Sequence, residues 1–166
     1  MRNIHDVIDG RAVTSVFQPL VDIATRRVLG YEALSRGPAG SPWESPVTLF
    51  AAARAAGRDN ELDWVCRASA YRAALDAGLE QTLFVNMEPT AWHTPCPDDL
   101  APVVARAQSR LRVVTEMTER AIAADPAGLL TATASCRAAG WGVALDDVGA
   151  NPASLALMPF VRPDVV

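Results

Sequence analysis

Apolar and polar residues alternate in two early segments, 13–23 and 28–34, in the pattern typical of β-strands. Only the tetrapeptide Ala24-Thr25-Arg26-Arg27 separates them. Because no helix fits into so short a connection, we expect the two strands to pair as an antiparallel hairpin.

The next segments carry helix signals. Ser45 and Pro46 are an expected N-cap and first helical residue, and Gly57 closes that helix. A second helix is predicted over 59–77, because small and apolar residues recur there at helical spacing until Gly78. These two helices lie between the hairpin and the next predicted strand.

From residue 82 onward, predicted strands alternate with predicted helices. The strands cover residues 82–86, 112–116 and 141–146, and the last residues, 163–166, lead into a further one. The helices lie near residues 98–109, 125–139 and 154–159. This alternation predicts βαβ units and a mainly parallel sheet, with every strand's carboxyl end on one face. The count of about six strands, against eight in a closed (β/α)₈ barrel, fits either an open sheet or an incomplete barrel.

Composition narrows the function classes. The 166-residue chain is 50% apolar, enough for one globular domain with a substantial core. Nineteen acidic and fifteen basic residues give a net charge of −4. Because polymeric DNA and RNA are bound through basic surfaces, we expect neither as a partner. A phosphate-bearing small ligand stays possible, since bound metal ions reverse the local charge.

Cysteine usage and hydropathy bear on location. Cys66, Cys96 and Cys136 are an odd number without paired ligand spacing, so we expect buried small side chains and a cytoplasmic protein. Residues 1–10 are charged and lack the apolar stretch of a secretory signal. No apolar run is long enough to span a bilayer, and we therefore expect no membrane insertion.

The candidate chemistry lies where the predicted strands end. Five oxygen-bearing side chains occupy these positions: Glu32, Asn86, Glu116, Asp146 and Asp147. Brought to one face of a barrel, the four carboxylates would repel one another without cations. Oxygen ligands select Mg²⁺, Mn²⁺ or Ca²⁺ over zinc or copper. The pattern therefore predicts a divalent-metal site with room for two ions.

The same segments, in order, resemble the EAL domain, the bacterial phosphodiesterase that linearises cyclic di-GMP. Glu32-Ala33-Leu34, followed by Arg36, matches the tripeptide that names the family, and Asn86 stands in its Asn-x-x-Pro segment. The other matching segments are Phe17-Gln18-Pro19-Leu20, Glu116-Met117-Thr118-Glu119 and Asp146-Asp147-Val148-Gly149, the last with valine replacing phenylalanine. Five ordered motifs cover nearly the whole chain.

The resemblance implies an α/β fold: a TIM-like (β/α)₈ barrel of EAL type with an antiparallel first strand, incomplete here. It implies hydrolysis of cyclic di-GMP to the linear dinucleotide pGpG with two Mg²⁺ or Mn²⁺ ions. Its metal ligands fall on the five strand-end residues, and Asp146, Asp147 and Glu32 take the catalytic roles. Arg36 and Gln18 would contact the ligand's phosphate and guanine regions.

The sequence also departs from the family pattern. The family has a lysine, a metal-binding glutamate and a glutamine beyond the segment that ends here at Val166. We therefore expect a single EAL domain over residues 1–166 that lacks its C-terminal part and hydrolyses cyclic di-GMP weakly or not at all. Such a chain exposes strand edges, which predicts a homodimer or larger oligomer. Asn151 and Pro152 replace a glycine and an aromatic residue in a loop that couples metal binding to dimerisation in the family.

Two alternatives stay open. One is a non-catalytic cyclic di-GMP receptor or a degenerate EAL scaffold for protein interaction. The other is an unrelated metal-dependent barrel enzyme, such as an enolase-type lyase. Whether the chain is an enzyme at all is therefore undecided from its residues.

Overall fold

A computed structural model describes residues 3–88, 90–91, 94–118, 125–146, 148 and 158–166. Its centre is a sheet of five strands in the order β1-β2-β3-β4-β5. The strands are β1 (Thr14–Val21), β2 (Val28–Arg36), β3 (Thr82–Asn86), β4 (Val113–Thr118) and β5 (Gly142–Asp146). The helices are α1 (Ile4–Asp9), α2 (Pro46–Ala55), α3 (Asp59–Asp76), α4 (Ala101–Arg110) and α5 (Pro126–Ala138).

The predicted antiparallel hairpin is confirmed. β1 and β2 run antiparallel, and β2, β3, β4 and β5 are mutually parallel. The connection between β1 and β2 is a tight turn in which the Asp22 carboxylate accepts the Thr25 backbone N–H at 2.7 Å. The predicted α/β architecture with one reversed first strand is therefore present.

Most predicted helices agree with the structure to within a few residues. The largest difference is α4, which begins at Ala101 rather than near Asp98. Residues 98–100 form a turn instead, closed by a 2.9 Å bond from the Leu100 N–H to the Pro97 carbonyl. Helix α1 was not predicted. Its N-cap Asn3 and Asp6 form a capping box, and Val7 and Ile8 are completely buried.

The structure describes five strands and one isolated bridge rather than six strands. Val165 forms a single parallel bridge to Ala144, and its carbonyl accepts the Leu145 N–H at 3.0 Å. The Val143 N–H, which a longer ladder would use, instead donates to the Asp164 side chain at 2.8 Å. Residues 158–161 are helical, whereas 154–157 of the predicted short helix lie outside the described residues.

The core lies between the sheet and the helices packed on its outer face. Leu83, Val143, Leu62, Tyr71 and Leu129 in this layer are at most 1% exposed. Burying such a side chain contributes about 1.5–3 kcal/mol, so this layer stabilises the packing of the helices on the sheet. Within the described ranges no helix has both the length and the hydropathy needed to cross a bilayer.

Candidate metal and ligand site

Strand register determines which side chains share a face of the sheet. Gln18 on β1 lies opposite Glu32 on β2, and Glu32 lies opposite Phe84 on β3. Because side chains alternate along a strand, Asn86 projects to the same face as Phe84. The structure thus brings Gln18, Glu32 and Asn86 to one face.

The same rule extends across β4 and β5. Asn86 lies opposite Glu116, and Glu116 lies opposite Ala144, two residues before Asp146. Asp146 is itself opposite Thr118, two residues after Glu116. Four of the five predicted metal ligands therefore line one face at the carboxyl ends of adjacent parallel strands.

Two of these residues are in direct contact. The Asn86 Nδ2 donates a hydrogen bond to Glu32 Oε1 at 3.1 Å. Glu32 is half-buried and Asn86 is exposed. The bond orients the amide so that its oxygen and the second Glu32 oxygen remain as electron-pair donors. An oxygen pair of this kind suits a hard divalent cation.

Glu116 is the most perturbed carboxyl group of the site. Burial, with the charges of Glu32 and Asp146, raises its pKa to about 7. Its Oε2 atom is buried and accepts no hydrogen bond from any described residue. A buried carboxylate oxygen without a donor, beside two further carboxylates, is an unfavourable arrangement in the absence of a cation. The residues present therefore fit a divalent metal ion.

The described residues do not form a complete set of metal ligands. No three histidine, cysteine or acidic side chains there come close enough together to hold a metal ion. Asp147, the predicted neighbour of Asp146, lies outside the described residues. The full ligand set of Glu32, Asn86, Glu116, Asp146 and Asp147 stays a prediction.

The predicted ligand-contacting residues occupy the rim of the same face. Gln18 is exposed on β1, and Arg36 is the last residue of β2, four positions after Glu32. The Arg36 Nη1 donates to the Ser35 carbonyl at 2.8 Å. Among the described residues, Ser35 is the only hydrogen-bond partner of this guanidinium. The contact between Arg36 and a phosphate group of the ligand stays a prediction.

Sequence reasoning missed a polar cluster behind Asn86. Asp63 and Arg67 on α3 form a buried ion pair at 2.6 Å, and the Glu88 backbone N–H donates to Asp63 at 2.8 Å. A signal was present in the sequence, because Asp63 and Arg67 are four residues apart and adjoin the apolar stripe of α3.

The chain is similar to known proteins over its whole length. A model of the EAL domain family matches residues 1–166. The probable cyclic di-GMP phosphodiesterase PdeB of Escherichia coli strain K12 is 27% identical over 169 residues, which cover 98% of this chain and 33% of PdeB. The chain therefore spans about a third of this curated relative.

Solved structures agree with the fold. Klebsiella pneumoniae BlrP1, in a complex with manganese and cyclic di-GMP, has a TM-score of 0.78 and 30% identity, covering 94% of this chain and 40% of BlrP1. The Pseudomonas aeruginosa FimX EAL domain bound to cyclic di-GMP has a TM-score of 0.74, covering 95% of this chain and 65% of FimX. At 17% identity, FimX supports the fold alone.

Proposed function

The chain belongs to the EAL domain family, and on that premise we propose that its strand-end residues form the metal site of a cyclic di-GMP phosphodiesterase. The family match over residues 1–166 supports the proposal. Two relatives support it as well: PdeB is a probable cyclic di-GMP phosphodiesterase, and the BlrP1 structure contains manganese and cyclic di-GMP. The observation that carries it is the buried, unpartnered Oε2 of Glu116 beside Glu32 and Asp146.

The proposed metals are Mg²⁺ or Mn²⁺, two ions in all, held by Glu32, Asn86, Glu116, Asp146 and Asp147. When bound, such ions lower the pKa of a water nucleophile and stabilise charge on the phosphate and the leaving oxygen. The chain's own residues prepare the site. Asn86 donates to Glu32 and so fixes the direction of that carboxylate's free oxygen.

Glu116 makes metal binding dependent on pH in this proposal. With its pKa raised to about 7, the metal-free carboxyl group keeps a proton across a wide pH range. Metal binding requires that this proton leave, so the affinity for the metal is coupled to pH. Arg36 and Gln18, on the rim, are proposed to contact the phosphate and guanine groups of cyclic di-GMP.

Assembly and location belong to the same proposal. We expect one domain and a homodimer or larger oligomer, since β1 is hydrogen-bonded along only one side by the described residues. A cytoplasmic location is supported by the three free cysteines, of which Cys66 and Cys136 are buried.

Turnover of cyclic di-GMP with Mn²⁺, followed by chromatography of the linear product, tests the function. We expect slow formation of pGpG by the wild type and none by Glu32→Ala. Binding without hydrolysis would favour the receptor alternative. A folded wild type that neither binds nor hydrolyses cyclic di-GMP would overturn the proposal.

A further inference from the structure

Helix α3 carries two charged side chains inside the protein. Asp63 and Arg67 are 3% and 5% exposed, and Arg67 Nε donates to Asp63 Oδ2 at 2.6 Å. The Arg67 guanidinium also stacks on Trp64, 3.7 Å from the ring centroid. A buried ion pair of this kind contributes little stability compared with apolar residues of the same volume. We therefore consider which residues the ion pair contacts rather than how much it stabilises the fold.

The second oxygen of Asp63 reaches the turn that follows β3. Asp63 Oδ1 accepts the Glu88 backbone N–H at 2.8 Å, only two residues beyond Asn86. The preceding amide, that of Met87, donates in another direction, to the Glu116 carbonyl on β4 at 3.0 Å. Asp63 thus fixes the point at which the chain leaves the sheet, directly after the predicted metal ligand Asn86.

Two more residues of α3 form hydrogen bonds with the segment that follows β3. Asn60 Oδ1 accepts a 2.6 Å hydrogen bond from the Thr90 hydroxyl. The Trp64 indole N–H donates to the Thr94 carbonyl at 2.9 Å. These bonds join one face of α3 to the described residues that follow β3.

The turn after β3 is only partly packed against its neighbours. A cavity of about 530 Å³ lies between α2, α3 and the outer face of β2 and β3, and Met87, Glu88, Asp63 and Arg67 are among its lining residues. Met87 in this turn is packed in the core at 6% exposure, whereas Glu88 is half-buried at the edge of the cavity. Hydrogen bonds therefore add to packing in fixing the position of the turn, and among those that α3 makes the one between the Glu88 N–H and Asp63 lies nearest to Asn86.

We propose that Asp63 is a positioning residue for the metal site: it holds the turn after β3 so that Asn86 stays in place beside Glu32, and Arg67 orients the Asp63 carboxyl group. The inference rests on the proposed role of Asn86 as a metal ligand. Partners that orient metal ligands change metal affinity about 10- to 100-fold when removed.

Two double variants of the 166-residue chain separate positioning from charge. Asp63→Leu/Arg67→Met removes the charges and leaves the Glu88 N–H without an acceptor. Asp63→Asn/Arg67→Gln also removes the charges, but the asparagine oxygen still accepts from Glu88 while its amide donates to the glutamine. Mn²⁺ affinity is measured from the electron paramagnetic resonance signal of free Mn²⁺, a readout that does not require activity.

A second pair of variants addresses the donor and leaves α3 untouched. Glu88→Pro removes the backbone N–H itself, and remains informative if the double leucine–methionine variant does not fold. Glu88→Gln keeps the N–H and removes only the carboxylate, which contacts the 61% exposed Arg54 side chain at 3.5 Å. Circular dichroism establishes which of the four variants are folded.

We expect Asp63→Leu/Arg67→Met and Glu88→Pro to bind Mn²⁺ about 10- to 100-fold more weakly than the wild type. Asp63→Asn/Arg67→Gln and Glu88→Gln should bind as the wild type does. Wild-type affinity in a folded variant that lacks the Glu88–Asp63 bond would overturn the positioning role alone. A wild type without Mn²⁺ affinity would be a separate result that overturns the proposed metal site and this inference with it.

Discussion

Glu116 shows at the scale of one residue why we propose that the site binds a cation. Its carboxyl group is partly buried, is close to Glu32 and Asp146, and has one oxygen without a described hydrogen-bond donor. Neutralisation by a proton or by a metal ion relieves this arrangement. In the metal-free protein the proton does so, which is why the pKa is about 7.

This raised pKa predicts an unusual pH dependence of stability. An ordinary carboxyl group titrates near 4.5 and that of folded Glu116 near 7, so the folded state binds more protons between these values. The free energy of unfolding in EDTA should therefore fall as pH rises from about 5 to 8, and this fall should be smaller in Glu116→Gln. Urea denaturation at several pH values measures it.

Mn²⁺ provides the internal control for that experiment. Added at pH 8, it should restore the stability of the wild type by binding the folded state, and should do so much less in Glu116→Gln. Equal pH profiles for wild type and variant in EDTA would show that Glu116 titrates normally and would contradict this account of the site.

At the scale of elements, most of the fold was predictable from local patterns in the sequence. The short connection between β1 and β2 excluded a helix and so predicted the antiparallel hairpin, and alternation of strands and helices predicted the parallel sheet. Helix α1 was missed because its six residues are too few to show helical periodicity. The role of Asp63 was missed because charged residues on a helix are usually exposed, and only tertiary packing buries this one.

The contact between β2 and β3 requires a glycine at position 30. A Cβ atom there would lie 2.6 Å from the Thr82 carbonyl oxygen and 2.8 Å from the Phe84 ring. Gly30→Ala should therefore push β2 from β3, disturb the Glu32–Asn86 contact and lower the melting temperature by several degrees, at about 2–4 °C per kcal/mol.

A suitable control for Gly30→Ala is Gly40→Ala, where φ is +71° but a Cβ would meet nothing within 4 Å. This change should cost only the backbone strain, about 1 kcal/mol, and leave metal affinity unaltered. Calorimetry compares the two variants. A Gly30→Ala protein as stable as the wild type would contradict the close approach of the two strands.

At the scale of the whole molecule, the strand register brings the residues of the candidate site to one face of the sheet. Glu32, Asn86, Glu116 and Asp146 are up to 114 residues apart in sequence, and parallel pairing brings them to one face. Their common face was predictable, because strand-end positions converge in parallel sheets. The distances needed to coordinate a metal were not, since they depend on side-chain torsions and on the ion itself.

An open side of the sheet predicts self-association. Within the described residues, β1 is hydrogen-bonded only to β2, and its Val16 side chain is 45% exposed. The 166-residue chain should therefore form concentration-dependent dimers or larger oligomers in light scattering. Val16→Lys should shift the population to monomers, whereas Val47→Lys on α2, 77% exposed, should not. A monodisperse wild-type monomer at all concentrations would refute this expectation.

The central claim is that the strand-end oxygens form a divalent-metal site that binds cyclic di-GMP. Calorimetric titration of cyclic di-GMP into the chain, with Mn²⁺ and then with EDTA, tests it most directly, with Asp146→Ala as the matched variant. We predict binding by the wild type only with Mn²⁺, and at least tenfold weaker binding by Asp146→Ala, a loss of about 1.4 kcal/mol. Binding that persists unchanged in EDTA and in Asp146→Ala would contradict the claim.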